Sequence, residues 1–134
     1  MIAEVHATAL EKQPLTFVTA NGKHTITVEV ADTEQARTTG LMFRRSIGAD
    51  EGMIFVYADD EVITMWMKNT YIPLDMIFVR SNGVIHRIET DTEPLSERVI
   101  DSGGKVRAVI EMMAGSAERL GLKPGDKVLY PAFQ

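Results

Sequence analysis

Trp66, the one tryptophan of the chain, lies two residues before Lys68 and three before Asn69, in a segment that also carries Met65, Met67, Met76 and the carboxylate of Asp75. Residues two apart in an extended strand share a face, so the Trp66 indole and the Lys68 ammonium can line one surface. An aromatic floor beside a cation would suit an anionic or hydroxyl-rich small molecule, and apolar walls with a few fixed polar groups are the makings of a ligand pocket. The same residues also suit plain packing, with Trp66 in the core, Lys68 in solvent and Asn69 shaping a turn. Asp75 sits between Leu74 and Met76 in the most apolar stretch of the chain. A carboxylate there must accept hydrogen bonds, find a cation or hold a proton. Paired with Lys68 it could serve acid–base chemistry on a polar substrate. Receiving backbone N–H groups from the loop over 68–73, it would instead lock that loop's shape.

Arg44 follows Gly40-Leu41-Met42-Phe43 and precedes Glu51. Its guanidinium can clamp a ligand carboxylate or phosphate bidentately, or spend the same fork on Glu51 or another acid. Arg44, Glu51, Trp66, Lys68, Asn69 and Asp75 are therefore the candidate ligand-binding set. Eight methionines allow thioether coordination of a soft ion such as Cu(I), but methionine is also a common filler of irregular cores. His6, His24 and His86 are scattered without metal-ligand spacing, and the acidic run over 59–61 lacks the spacing and glycine of a calcium loop. No nucleophile elbow, phosphate loop or dinucleotide glycine pattern occurs, so no cofactor is indicated.

The elements that must position these groups are mostly strands. Residues 16–20 and 24–31 flank Asn21-Gly22, the pair that most readily takes the positive backbone angles of a tight hairpin. A short helix is expected over 33–39, capped by Asp32 with Gln35 three residues on and stopped at Gly40. Strands follow over 53–57, 62–66 and 74–80, the last apolar on both faces, and then over 84–90. After the turn signal Asp101-Ser102-Gly103-Gly104, residues 105–113 alternate through Val106, Ala108, Ile110 and Met112. A second short helix over 116–120, stopped by Gly121, leads through Lys123-Pro124-Gly125-Asp126 to a last strand over 127–130. Many short strands with Gly, Asn and Pro turns predict a mainly β fold, an antiparallel β-sandwich or partly closed barrel with two short helices, rather than a parallel sheet.

A chain of 134 residues, 45% hydrophobic and 25% charged, fits one globular domain over 16–134 behind a loose lead-in over 1–15. A net charge of −5 with no basic stripe argues against nucleic acid as a partner, and no apolar run is long enough to cross a bilayer. The absence of cysteine excludes disulfides, thiolate metal sites and a cysteine nucleophile. It fits either cytoplasm or periplasm. The lead-in carries no signal segment and reads as what remains once an export signal is cut away. Oligomeric state has no signature here.

Four strings resemble a prokaryotic family, domain of unknown function 192: Gly40-Leu41-Met42-Phe43-Arg44, Glu51-Gly52-Met53-Ile54-Phe55, Trp66-Met67-Lys68-Asn69-Thr70 with Ile72-Pro73-Leu74-Asp75-Met76, and Gly121-Leu122-Lys123-Pro124-Gly125-Asp126. Tyr71 stands where the family more usually has a small aliphatic residue, and Met65 where an aromatic often precedes the tryptophan. The resemblance implies a small β domain of sandwich or barrel type, often exported, and brings no reaction or ligand with it. Two classes of function remain. A non-catalytic domain binding a small polar or sugar-like ligand needs only the stacking surface and polar groups already named. An enzyme needs a poised titratable group, for which Asp75 with Lys68 is the candidate.

Overall fold

The computed structural model describes residues 9–133 and contains one seven-stranded sheet with two short helices. In chain order these are β1 (Lys12–Thr19), β2 (Gly22–Ala31), α1 (Glu34–Thr39), β3 (Glu51–Met65), β4 (Leu74–Val79), β5 (Ile85–Glu89), β6 (Ile100–Met113), α2 (Ser116–Leu120) and β7 (Lys127–Leu129). The spatial order is β5-β4-β6-β3-β2-β1-β7. The sheet curls until its two ends meet. Val84, just before β5, bridges Lys127 of β7, and the Val128 N–H donates to Gly83 O at 2.7 Å. The fold is thus the partly closed barrel of the two expected architectures, a half-barrel made of a single sheet.

The inner face of this sheet is buried, and so is the outer face over β3, β4 and β6, whereas Thr25 and Thr27 of β2 are exposed on it. Phe17, Val28, Ile54, Ile77, Ile85 and Ile110 point inside the curl, where α2 adds Ala117 and Leu120. The opposite face carries Met53, Phe55, Leu74, Met76, Phe78 and Val109, covered by Leu41, Met67 and Ile72 from the connecting loops. All six residues of β4 are buried, as its unbroken apolar run requires of a strand covered on both sides.

Several boundaries differ from the sequence pattern, each for a local reason. Of the lead-in expected over 1–15, residues 1–8 lie outside the described residues, and β1 already begins at Lys12, because β2 is long enough to pair Lys12 with Glu29. In the hairpin Thr19 pairs with Gly22, so the turn is Ala20-Asn21 followed by Gly22 at φ 106°. Glycine alone takes the positive angle, and Thr19 Oγ1 accepts the Asn21 N–H. Thr33, not Asp32, caps α1, accepting the Ala36 N–H at 3.1 Å.

The strands expected over 53–57 and 62–66 are one element. β3 runs through the acidic tip with register shifts between Val56 and Glu61 and between Val62 and Thr64, while Asp60 pairs with Arg107 across the sheet at 2.9 Å. The expected turn over 101–104 is likewise an irregular stretch within β6, where Ser102 Oγ accepts the Ile63 N–H and donates to Gly104 O. The sheet is not wholly antiparallel either. β2 and β3 run parallel, with the crossover through α1 that such a pair demands.

Candidate functional site

The α1 crossover leaves a cleft of about 460 Å³ between α1, the loop after it, and β3 with its following turn. Glu34, Arg37, Thr38 and Gly40 form one wall, Phe55, Tyr57, Glu61 and Met65 the other, and Trp66, Lys68 and Thr70 close one end. Gly40 ends the helix at φ 48°, and a Cβ there would lie 3.1 Å from the Phe55 ring, so the wall turns tightly over that aromatic. Trp66 is 44% exposed, and Lys68 Nζ sits 5.1 Å from its ring centroid. On the opposite wall the Arg37 guanidinium lies 5.0 Å from the Tyr57 ring centroid and donates to Val56 O at 3.0 Å. Each cation faces an aromatic quadrupole at the distance where the attraction counts.

The cleft also reaches Glu111. In register this residue lies between Met53 of β3 and Met76 of β4, so thioethers flank it on both sides, and it is only 4% exposed. No side chain or backbone N–H among the described residues donates to its carboxyl, and burial pushes its pKa up to about 8. The same burial, opposed by Arg37 and reinforced by Glu111 and Glu61, raises the Tyr57 phenol.

Of the six residues expected at a site, the structure brings Trp66 and Lys68 together on the cleft and sets the other four to different work. Asp75 is fully buried and faces inside the curl. Its Oδ1 accepts the Asp91 N–H at 2.9 Å, and its Oδ2 accepts those of Gly115 and Ala117 at 3.1 and 2.9 Å. It therefore caps α2 from another strand, a service Gly115 cannot supply for want of a side chain. The expected Lys68–Asp75 pair does not form, because Asp75 faces inside the curl, where three backbone N–H groups hold it, while Lys68 lies on the cleft. Its backbone donors come from Asp91 and the start of α2, not from the loop over 68–73.

Arg44 forks onto Glu29 with N–O distances of 2.5 and 2.7 Å, and this pairing, with Glu51 adding a weaker attraction, holds its pKa above the usual arginine value. Glu51 is exposed at the start of β3. Asn69 adopts φ 55° in the turn after Trp66, and its carbonyl accepts the Phe43 N–H at 2.8 Å, so it shapes the loop.

Met65 and Met42 line the cleft, while Met53, Met67, Met76 and Met112 are core residues. No cluster of His, Asp and Glu with metal-holding geometry occurs among the described residues. Sequence reasoning missed Glu111, Tyr57 and Arg37. The available signal was Val109: an apolar residue on the face of β6 opposite Ala108 and Ile110 says that face is also buried, and Glu111 shares it.

The arrangement of motif strings along this curled sheet is matched by a known family over residues 16–130. The chain belongs to the DUF192 family, described as an uncharacterised ACR. Among solved structures, it is similar to a protein from Sinorhizobium meliloti 1021, described provisionally as a transcription regulator, at 40% identity and TM-score 0.92, covering 96% of this chain and 100% of that one. It is similar as well to a protein of unknown function from Novosphingobium aromaticivorans, at 40% identity and TM-score 0.89, covering 95% and 91%. No curated protein matches. The matched family region spans the cleft, from α1 through Glu111.

Proposed function

We propose that this DUF192 domain binds a small polar ligand in the cleft between α1 and β3, without transforming it. Glu111 carries the reading. A carboxyl that has no protein donor among the described residues yet keeps its oxygens open to the cleft takes its hydrogen bonds from whatever fills that cleft, and a ligand is one way to supply them. Trp66 offers a half-exposed aromatic face and Lys68 a donor at the same cleft, which suits a ligand with both apolar and polar surface.

An enzyme reading now rests on Glu111 rather than on Asp75, since a carboxyl that keeps its proton near neutral pH can act as a general acid. Its partner group is not apparent, and binding is the simpler use. The regulator label of the Sinorhizobium relative finds no support in charge: the net charge is −5, and the two helices span six and five residues. Export to the periplasm is the compartment this reading favours, on family resemblance, and cell fractionation tests it.

Because Trp66 is the only tryptophan and lines the cleft, its emission reports on the site directly. A library of polyols, sugars, amino acids and small organic acids should contain members that shift both that emission and the melting temperature, since a ligand of the native state stabilises it. A library that moves melting temperature only without touching Trp66 emission would place binding elsewhere and defeat the proposal.

A further inference from the structure

Two ionisable groups in the cleft, a cation and a buried carboxyl, lack a partner in the protein among the described residues. Lys68 makes no salt bridge among the described residues and rests only on the Trp66 ring. Glu111 receives no hydrogen bond from any of them. The other charges on the walls differ: Arg37 is committed to Val56 O and the Tyr57 ring, and Glu34 and Glu61 are exposed to solvent. An uncharged sugar would satisfy hydrogen bonds at Lys68 and Glu111 but leave the Lys68 charge unpaired. A simple anion would meet Lys68 while adding a like charge near Glu34 and Glu61 and leaving the Glu111 carboxyl without a donor.

We propose that the ligand of this cleft is a zwitterion of amino-acid type, with its ammonium set against Glu111 and its carboxylate against Lys68. The inference deepens the binding reading above and rests on it. Phe55 and Tyr57 near the buried end give an ammonium aromatic faces as well as a carboxylate, the pairing by which proteins hold alkylammonium groups. Burial keeps the empty site's Glu111 protonated near neutral pH. On binding, that proton leaves to solvent and the carboxylate pairs with the incoming ammonium, so affinity rises with pH until Glu111 would be ionised unaided.

The test uses the whole chain and follows Trp66 emission and titration calorimetry. Probes are the common L-amino acids and the ω-amino acids from glycine to aminohexanoate, which span a range of charge separations. Glucose and glycerol serve as uncharged probes. At least one zwitterion should saturate the signal. Its N-acetyl form should bind at least about tenfold more weakly to the wild-type protein yet lose little further on Glu111→Gln, and its amide should behave in the same way toward Lys68→Met. Calorimetry in buffers of different ionisation enthalpy should show proton release near neutral pH. If glucose or glycerol saturates Trp66 and no zwitterion does, the ligand class is wrong while the binding site survives. If an alkylamine lacking the carboxylate binds as tightly as the amino acid, Lys68 has no anion to meet and the proposal falls. If no probe of either kind moves Trp66, the zwitterion and the binding reading fall together.

Discussion

Replacing Glu111 by glutamine should stabilise the protein at neutral and alkaline pH, an unusual direction for a change inside a sheet. Burial raises the carboxyl from its ordinary 4.5 to about 8. Below the lower value the folded and unfolded chains both hold the proton, so ionisation contributes nothing. Between the two, the unfolded chain releases its proton while the native carboxyl keeps it. The unfolded state then binds fewer protons, and stability falls by about 1.4 kcal/mol for each pH unit gained. Above the folded value both states are ionised and the loss levels off. The interval corresponds to roughly 4–5 kcal/mol in total, of which about 3 kcal/mol is already lost at neutral pH.

Glutamine keeps the shape and one polar end but cannot ionise. Its amide is as poorly bonded as the protonated carboxyl, so the two proteins should be close in stability at about pH 4 and diverge above it, by roughly 2–4 kcal/mol at about pH 8 once some relaxation is allowed. Urea denaturation followed by far-ultraviolet circular dichroism, repeated at intervals across this range, measures the difference. Subtracting the variant from the wild type cancels groups that titrate alike in both. A difference that stays flat with pH would show that Glu111 is solvated or partnered, and the argument from its burial would be refuted. A variant less stable at every pH would show instead that the carboxylate makes a favourable contact in the native protein.

Other substitutions test the remaining assignments. Asp75→Ala strands the buried Ala117 N–H and two partly buried ones, of Asp91 and Gly115, and should cost about 1–3 kcal/mol in urea denaturation; a loss below about 0.5 kcal/mol would remove Asp75 from the folding of α2. Trp66→Ala should change stability by no more than about 1–2 kcal/mol, since the indole is half exposed, while abolishing ligand-induced stabilisation; a larger loss would make Trp66 a packing residue. Leu95 is 56% exposed at φ 66°, where a side chain is strained, so Leu95→Gly should leave stability unchanged or raise it by up to about 1 kcal/mol; a clear drop in melting temperature would mean the leucine packs after all.

Local pattern made part of the cleft readable. The two-residue spacing of Trp66 and Lys68 suggested one shared surface and both line the same cleft, although they follow the end of β3 at Met65 and Lys68 lies in a turn, so no strand holds them there. The unbroken apolar run marked β4 as buried on both faces, and the Gly121 stop located α2. What alternation does not carry is register between distant strands. Arg37 reaches the cleft through a parallel crossover, and Glu111 through the pairing of Met53 with it across β3 and β6. The acidic tip of β3 misled for a related reason. Three acids in a row suggest a solvated loop, but Arg107 opposite Asp60 lets the strand continue.

Asp75 and Glu111 show why an acid in an apolar strand cannot be assigned a role from its surroundings in sequence. They lie in neighbouring strands: Asp75 pairs with Met112, and the next residue, Met76, pairs with Glu111. Each is flanked by methionine or leucine, each is almost wholly removed from water, and alternation points them to opposite faces of one sheet. On the inner face the N–H groups of Asp91, Gly115 and Ala117 converge on Asp75, so its charge is fully employed in holding α2 to the sheet. On the outer face nothing among the described residues converges on Glu111, and the space beside it is a cleft. Burial is shared by both acids, so it cannot distinguish them. The difference is whether the protein supplies the donors itself, and where it does not, a ligand has a reason to.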